Sequence, residues 1–405
     1  MATGTYSDGS AQNLTTSATW SPSGPGVAAI STTGLASAVG VGKTTITTAF
    51  GAINGPIPLE VSPAFVLTGS LDTARAEHTA TLLNGGLVLI AGGFVSGSPP
   101  VTASAELYNP ATGTFAPTGS LNTARYYHTA TLLSDGLVLI AGGLDSSAAP
   151  LASAELYNSA TRTFTPTGSL NTARAYGTAT LLKNGLVLIA GGSGPAYAPL
   201  GSAELYNPAT GTFAPTGSLK TARAYDTATL LNNGLVLMAG GFISSSPPVT
   251  ASAELYNPAT GTFAPTGSLN TARYYHTATL LNDGLVLIAG GLGSSAAALA
   301  SAELYNPATG AFTLTGSLNT AREVHTATLL KSGLVLMAGG YNGGFLASAE
   351  QYNPATGTFT PTGNLKTARA SHTGTLLSNG LVLVAGGADL QQRLRSSQRG
   401  AVLAT

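Results

Sequence analysis

The sequence contains no cysteine, which excludes disulfide bonds, thiolate metal sites and cysteine nucleophiles. Charged residues make up only 8% of the 405 residues, against about 25% in a typical soluble protein. The formal net charge is zero, so the chain lacks the electrostatic surface that DNA or RNA binding requires. No apolar run approaches the roughly 18 residues of a membrane-spanning helix. We therefore expect neither a nucleic-acid partner nor a membrane span.

The most prominent feature present is an apolar stretch that ends in two glycines and recurs along the chain. The glycine pairs are Gly92-Gly93, Gly142-Gly143, Gly191-Gly192, Gly240-Gly241, Gly290-Gly291, Gly339-Gly340 and Gly386-Gly387. Successive pairs lie 50, 49, 49, 50, 49 and 47 residues apart. A fixed period near 50 residues indicates a repeat architecture.

The second repeat illustrates the predicted unit. Arg125 to Leu133 alternates as a strand, and Ser134-Asp135-Gly136 is a hairpin turn. Leu137 to Ala141 is a buried strand, Ser153 to Asn158 a third strand, and Arg162 to Phe164 a fourth. Such a four-stranded antiparallel sheet has two apolar faces, which radial stacking of the sheets in a propeller would bury.

Six of the seven repeats also carry a tyrosine with a phenylalanine seven residues later. The tyrosines are Tyr108, Tyr157, Tyr206, Tyr256, Tyr305 and Tyr352. The phenylalanines are Phe115, Phe164, Phe213, Phe263, Phe312 and Phe359. With the diglycine, this pattern resembles the kelch family, although that family more often has tryptophan in place of the phenylalanine. The resemblance covers residues 63–387 and implies a seven-bladed kelch-type β-propeller of the galactose oxidase central-domain-like superfamily.

The ends of the repeat region predict how the ring closes. Phe65 to Leu71 aligns with Phe115 to Leu121 but has no preceding unit. We expect residues 63–71 to supply the fourth strand of the seventh blade, which would remove open sheet edges. The tail, residues 388–405, would add a poor third strand to that blade. The alternatives are a truncated end or a partner-binding extension around its arginines, Arg393, Arg395 and Arg399.

Residues 1–62 lie outside the repeat and consist of short β-prone runs. Tyr6 to Ser10, Thr19-Trp20, Val27 to Ser31 and Gly42 to Thr47 follow one another in an order that resembles the bacterial group-2 immunoglobulin-like domain. The resemblance implies a small β-sandwich with Trp20 in its core. Met1 falls inside the pattern, so we expect an incomplete domain that lacks its first strand or strands and any signal peptide. The expected location is extracellular, at the cell surface or periplasmic.

Two charged positions recur with the repeat. The arginines are Arg75, Arg125, Arg174, Arg223, Arg273, Arg322 and Arg369. The glutamates are Glu106, Glu155, Glu204, Glu254, Glu303 and Glu350. A glutamate within a strand covered on both sides must be paired or neutral, so we predict one structural Arg–Glu ion pair per blade.

All five histidines share one repeat position. They are His78, His128, His276, His325 and His372, and Gly177 and Asp226 occupy the position in the other two units. We expect each histidine to begin an innermost strand and to hydrogen-bond the backbone. Equivalent atoms around a seven-fold ring are too far apart to share one metal ion bound at about 2 Å, so no metal site is predicted.

The sequence contains none of the catalytic motifs that its resemblance and composition leave open. The kelch resemblance implies a comparison with galactose oxidase, an enzyme with a kelch propeller. Its copper radical site needs a tyrosine cross-linked to a cysteine, and this chain has no cysteine. No sialidase-type Asp box, nucleophile elbow, HExxH motif, phosphate-binding loop or paired carboxylates are present. We therefore predict no catalytic residue and no cofactor, and expect that the chain is not an enzyme.

The loops after the diglycines vary between repeats, and function concentrates in such loops. The segments that lead into each blade on the same face carry Tyr126, Tyr127, Tyr176, Tyr225, Tyr274 and Tyr275. We predict that these tyrosines bind a protein or glycan ligand, in a monomeric extracytoplasmic binding or scaffold protein. The alternative is a carbohydrate-active or hydrolytic enzyme with its site over the central channel. An active site would need acidic residues that do not recur in every repeat, and the candidates are Asp226, Glu77 and Glu323.

Overall fold

The computed structural model describes residues 2–5, 8–38, 42–61, 65–388 and 400–404. Within them the chain is all-β, with one turn of 3₁₀ helix at Pro195–Tyr197, so the predicted all-β class is confirmed. No helix in these residues is long and apolar enough to cross a membrane. The chain forms two compact units, one before Phe65 and one over Phe65–Ala404.

The first unit contains three small antiparallel sheets in its described part. Two of them have two strands each, and the third has three strands. The strands in chain order are Thr3–Thr5, Ala11–Asn13, Thr19–Pro22, Ala28–Ile30, Ala36–Ala38, Gly42–Phe50 and Ile53–Val61. Trp20 is half-buried, and its indole N–H donates to the Thr15 carbonyl at 3.0 Å. The expected core position of Trp20 is therefore only partly realised, while Ala28 and Ile46 are buried.

The second unit contains seven four-stranded antiparallel sheets among the described residues, numbered here by their first strands. The first strands are Thr79–Leu82, Thr129–Leu132, Thr178–Leu181, Thr227–Leu230, Thr277–Leu280, Thr326–Leu329 and Thr373–Leu376. The second strands are Val88–Ala91, Val138–Ala141, Val187–Ala190, Val236–Ala239, Val286–Ala289, Val335–Ala338 and Val382–Ala385. The third strands are Ala105–Asn109, Ala154–Asn158, Ala203–Asn207, Ala253–Asn257, Ala302–Asn306, Ala349–Asn353 and Gly400–Ala404. The fourth strands are Thr114–Pro117, Thr163–Pro166, Thr212–Pro215, Thr262–Pro265, Ala311–Leu314, Thr358–Pro361 and Phe65–Ser70.

Sheet 7 is assembled from both ends of this unit. Gly400–Ala404 pairs with Val382–Ala385 on one side and with Phe65–Ser70 on the other. The strand expected at residues 63–71 therefore runs from Phe65 to Ser70 as the outermost strand, and residues 63 and 64 lie outside the described part. The third strand is the tail, which the sequence suggested only weakly. The tail arginines Arg393, Arg395 and Arg399 also lie outside the described residues.

Hydrogen bonds between neighbouring sheets run around a closed ring and explain the diglycines. The Gly93 N–H donates to the Arg125 carbonyl of sheet 2 at 2.8 Å, and the Gly387 N–H of sheet 7 donates to the Arg75 carbonyl of sheet 1 at 2.9 Å. Gly92 and Gly93 have φ of 62° and 114°, which side chains disfavour. A Cβ on Gly92 would also lie 2.5 Å from the Arg125 carbonyl oxygen. The diglycine thus permits the close approach of the next sheet.

The core lies between adjacent sheets. In each of the seven sheets the second strand is buried. Its residues pack against those of the neighbouring sheet, in seven clusters within the described residues. Each repeat tyrosine stacks on its cross-strand phenylalanine with ring centroids 4.7–4.8 Å apart. Its hydroxyl lies 2.8–3.0 Å from a threonine hydroxyl of the preceding sheet. The tyrosines therefore fasten neighbouring sheets together as well as filling the core.

Six buried Arg–Glu pairs occur among the described residues, one in each of sheets 1 to 6. The Nη2–Oε1 distances are 2.6–3.0 Å, and the side chains are at most 3% exposed. In sheet 2 the Arg125 guanidinium also donates to the Gly142 and Ser153 carbonyls at 2.7 and 2.9 Å. Arg369 of sheet 7 makes the equivalent bond to the Gly386 carbonyl at 2.7 Å. Each pair ties the start of a sheet to its second and third strands.

Candidate binding site at the central collar

One residue from each sheet contributes to a closed ring around the central axis, here called the collar. Its members are Glu77, Tyr127, Tyr176, Tyr225, Tyr275, Val324 and Ser371. The backbone N–H of each member donates to the carbonyl of the member before it at 3.1–3.3 Å, and Glu77 closes the ring by donating to Ser371. Each member stands two residues after the buried arginine of its sheet. The arginine therefore anchors the segment that places the collar residue.

The collar backbone is strained. All seven members have φ between 43° and 56°, in the left-handed region that residues other than glycine avoid. Each such residue costs about 1–2 kcal/mol, and Val324 is β-branched, which makes this conformation less favourable still. Strain of this kind persists where surrounding structure enforces it, and it clusters at functional sites. The collar is therefore the strongest candidate site in the second unit.

Four tyrosines form a continuous arc along the collar. The ring centroids of Tyr127 and Tyr176, Tyr176 and Tyr225, and Tyr225 and Tyr275 are 4.1, 4.3 and 4.5 Å apart. The Tyr225 hydroxyl interacts with the hydroxyls of both Tyr176 and Tyr275. Burial raises the pKa of all four tyrosines, so the hydroxyls stay protonated and remain donors. All four rings are half-buried, which leaves part of each available to a ligand.

Glu77 ends the arc and gives the collar its only carboxyl group among the described members. The Tyr127 hydroxyl donates a hydrogen bond to Glu77 Oε1. Burial raises the pKa of Glu77 to about 7, and the bond from Tyr127 opposes this rise. Burial also raises the pKa of Glu323, which precedes Val324 of the collar, to about 6. Both carboxyl groups therefore exchange protons near neutral pH.

A second layer of aromatic rings surrounds the arc. Tyr126 lies 5.3 Å from Tyr127 and 5.6 Å from Phe94, between ring centroids. Tyr274 lies 5.1 Å from Tyr275 and 5.9 Å from Phe242. The fold thus brings together all six tyrosines that the sequence singled out as ligand-binding.

Sequence reasoning missed three ring neighbours and the role of Glu77. Phe94 and Phe242 directly follow diglycines, and Tyr197 in the loop of sheet 3 lies 6.5 Å from Tyr176. The available signal was that Glu77 stands at the repeat position where four other repeats have tyrosine. That signal is visible only when the position two residues after each arginine is compared across repeats.

The five histidines lie one residue beyond the collar and are buried. The sequence predicted backbone partners, but each Nε2 atom lies 2.9–3.2 Å from a threonine hydroxyl at the start of the preceding sheet. The sequence missed these threonines because they belong to a neighbouring repeat. The histidines act as links between sheets.

Asp226 occupies the histidine position in sheet 4 and differs from the histidines in its surroundings. It is 8% exposed, and neither carboxyl oxygen has a hydrogen-bond partner among the described residues. Burial raises the pKa of Asp226 to about 7, although the nearby Arg223 opposes the rise. Because the pKa in the folded protein exceeds the usual 3.8, stability is lost as pH rises through 7.

Replacing Asp226 with histidine should therefore change stability in opposite directions at two pH values. At pH 8 the variant should gain on the order of 3 kcal/mol, because a buried carboxylate is removed and an imidazole can reach Thr178 of sheet 3. At pH 4 it should be less stable than the wild type, because a buried histidine resists protonation. Chemical denaturation at both pH values tests this, with the exposed Asp72→His as control. An equal effect at the two pH values would contradict the assignment.

Clefts of about 310–360 Å³ lie on the opposite face, between the turns of neighbouring sheets. One is lined by Asp135, Asn184, Asn207 and Pro208, and the others have equivalent linings. Their residues are nearly uniform around the ring, as expected of grooves that arise wherever two sheets meet. The collar face, where residues differ between sheets, is the better candidate for a specific ligand.

No protein-family model matches this chain. Over 66 residues, 16% of the chain, the sequence is 42% identical to ice-binding protein 1 of Shewanella frigidimarina. The match covers 7% of that protein, so the chain spans only a small part of this relative.

A fungal alcohol oxidase of the AA5 family, solved in complex with copper, has a similar structure. The TM-score is 0.67 at 18% identity, and the match covers 84% of this chain and 75% of the oxidase. A copper site of the galactose oxidase type does not fit this chain, because it has no cysteine and its described residues contain no cluster of three potential metal ligands among His, Cys, Asp and Glu.

The comparison with the oxidase contradicts one prediction from the sequence. The expectation that this chain is not an enzyme is wrong as stated, because the solved structure that it resembles is an enzyme. At 18% identity the likeness concerns the fold and carries over no particular activity. The predicted relation to the galactose oxidase type of fold is confirmed at that level: the chain shares an all-β, propeller-like fold with an AA5 oxidase.

Proposed function

We propose that this protein binds an uncharged glycan at the collar. The observation that carries the proposal is the arc of four tyrosines that ends at Glu77 and is held in a strained backbone ring. Aromatic rings offer flat apolar surfaces to the C–H faces of sugars, while tyrosine hydroxyls and a carboxyl group can bond sugar hydroxyls. The four rings are already in contact, so little side-chain entropy is lost on binding.

The charge balance favours a neutral ligand over a charged one. The chain has 16 basic and 16 acidic residues, and six of its arginines are committed to buried pairs in the described residues. A strongly anionic glycan would meet Glu77 and Glu323 beside the collar without a compensating basic cluster among the described residues. A protein ligand remains the alternative within the same class of function.

The domain interpretation is part of this proposal. The diglycines and the stacked Tyr–Phe pairs support kelch-type blades in a seven-bladed propeller. The short strands before Phe65 support a group-2 immunoglobulin-like spacer. A glycan ligand and the absence of cysteine suit an extracytoplasmic protein, and a rigid monomer would suffice to present the collar.

Tyr176 is the residue to vary, because it lies between Tyr127 and Tyr225 in the arc. On an array of neutral glycans, Tyr176→Ala should lower affinity at least 100-fold, since a central aromatic anchor is lost. Tyr176→Phe keeps the ring but removes the hydroxyl that interacts with Tyr225, and should lower affinity about 10-fold. The exposed Leu314→Ala, on an outer strand, is the control. Retained affinity in Tyr176→Ala would contradict the collar as the site.

A second candidate function is hydrolysis of a glycan at the same collar. Glu77 favours it, because a carboxyl group with a pKa of about 7 is suited to donate a proton to a leaving group. Release of reducing ends by the wild-type protein should then fall as pH rises above 7, where Glu77 loses its proton. Glu77→Gln should abolish release while leaving binding within a few-fold. Binding without any release would leave the first candidate standing alone.

A further inference from the structure

Two aromatic clefts on the collar face are copies of one another. Cleft 1 consists of Phe94, Tyr126 and Tyr127, at the junction of sheets 1 and 2. Cleft 2 consists of Phe242, Tyr274 and Tyr275, at the junction of sheets 4 and 5. Each residue of cleft 2 stands 148 positions after its counterpart.

The two clefts have nearly the same geometry. The Phe–Tyr centroid distances are 5.6 and 5.9 Å with interplanar angles of 59° and 66°, and the Tyr–Tyr distances are 5.3 and 5.1 Å. Phe94 is 41% exposed and Phe242 is half-buried, so both rings can meet a ligand.

The loops that carry the phenylalanines are held in place by equivalent backbone bonds. Phe94 N–H donates to the Ala76 carbonyl at 2.8 Å, and Thr102 N–H closes the loop onto the Gly93 carbonyl at 3.1 Å. In cleft 2, Phe242 N–H donates to the Ala224 carbonyl at 2.7 Å. Thr250 N–H then donates to the Gly241 carbonyl at 3.0 Å. Both clefts are therefore preformed, which reduces the entropy lost on binding.

The clefts lie at the two ends of the tyrosine arc, because Tyr127 belongs to cleft 1 and Tyr275 to cleft 2. They lie three sheets apart in one direction and four in the other around the ring of seven described sheets. At the other junctions within the described residues, the residue after the diglycine and the one after the next sheet's arginine are not both aromatic. This pair of aromatic residues is thus specific to the two junctions at the ends of the arc.

We propose that the two clefts are equivalent outer subsites that bind sugar rings of one repeating polysaccharide, whose chain crosses the collar between them. The proposal rests on the proposed function, since the collar supplies the central subsite. A polymer of identical units matches two clefts of nearly the same geometry, whereas an irregular ligand would not. Because the subsites share one rigid face, occupation of one raises the effective concentration of the polymer at the other.

The test compares polymers with short oligosaccharides of the same chemistry. The probes are hydroxyethyl cellulose, soluble starch and dextran, with cellobiose, maltose and isomaltose as their short counterparts. The variants are Phe94→Ala, Phe242→Ala and the double variant. Phe50→Ala is the matched control, because Phe50 is 45% exposed and belongs to the first unit. Affinity gel electrophoresis measures polymer binding, and calorimetry measures disaccharide binding.

For the polymer that binds, each single variant should lower affinity about 10-fold and the double variant at least 100-fold. The disaccharide should bind the double variant as it binds the wild type, because the collar is intact and the disaccharide is too short to reach both clefts. Its binding should be lost only in Tyr176→Ala. Unchanged polymer affinity in the double variant would overturn the clefts and leave the collar standing. An effect of only one of the two phenylalanines would overturn their equivalence. A wild-type protein that binds neither polymer nor disaccharide would overturn the collar as a glucan-binding site as well.

Discussion

Arg125→Met should lower the free energy of unfolding by about 3–5 kcal/mol, because it leaves a buried carboxylate without its counter-ion. Arg125 is fully buried, and its Nη2 atom lies 2.9 Å from Glu155 Oε1. The substitution also removes donors from the Gly142 and Ser153 carbonyls. Glu155 would retain only the Asn122 and Thr123 N–H groups and the Asn122 side chain.

Chemical denaturation followed by circular dichroism measures the effect. Arg162→Met is the matched control, because Arg162 is exposed in a turn of the same sheet and its loss should cost within about 0.5 kcal/mol. The double variant Arg125→Met/Glu155→Met should cost less than the two single losses together, because no charge is left unpaired. Equal stabilities of Arg125→Met and Arg162→Met would refute a stabilising role for the pair.

The second large expected effect is a loss of stability at acidic pH. Burial lowers the pKa of His128, His276 and His372 to about 3, and that of His78 and His325 well below the usual value. An unfolded histidine takes up a proton near pH 6.5, but these buried ones do not, so unfolding binds protons below that pH. Each histidine should therefore lower the free energy of unfolding by up to about 1.4 kcal/mol per pH unit as pH falls from 6.5 towards 3.

Three carboxyl groups oppose this effect over part of the range. The pKa values of Glu77, Asp226 and Glu323 are raised to about 7, 7 and 6, so unfolding releases their protons down to about pH 4.5. The steepest loss of stability is therefore expected below about pH 5, where this compensation ends. His276→Asn should reduce the slope of the unfolding free energy against pH by about 1.4 kcal/mol per pH unit, which corresponds to one proton. Lys220→His, at an exposed position, is the control and should leave this slope unchanged. An unchanged slope in His276→Asn would show that His276 takes up a proton in the folded state.

The strands illustrate how much of the fold was predictable. Asp-Gly and Asn-Gly turns, apolar second strands and diglycines each depend on neighbouring residues, so the sequence predicted four strands for each repeat. Gly400–Ala404 was suggested only by its distance from Gly387, because it lacks the glutamate and tyrosine of the other third strands. It joins sheet 7 through backbone pairing with Val382–Ala385 and Phe65–Ser70, which requires no particular side chain.

The candidate site was predictable in its residue types but not in its arrangement. Six tyrosines near the ends of the linking segments indicated an aromatic face. The hydrogen bond from Tyr127 to Glu77 joins residues 50 positions apart, and the hydrogen bond between His78 and Thr373 joins residues 295 positions apart. Spacing within one repeat contains no information on such contacts, because they depend on how each sheet is placed relative to the next around the ring.

By itself, the sequence determined the all-β class, the repeated strands and the positions of the buried arginines and glutamates. These depend on local turn chemistry and on the alternation of apolar residues within one sheet. Only the tertiary structure decided which side chains meet: the tyrosine arc with Glu77, the histidines on threonines of the preceding sheet, and Asp226 without such a partner. These contacts arise where seven sheets close into a ring, and closure brings together residues that no local pattern relates.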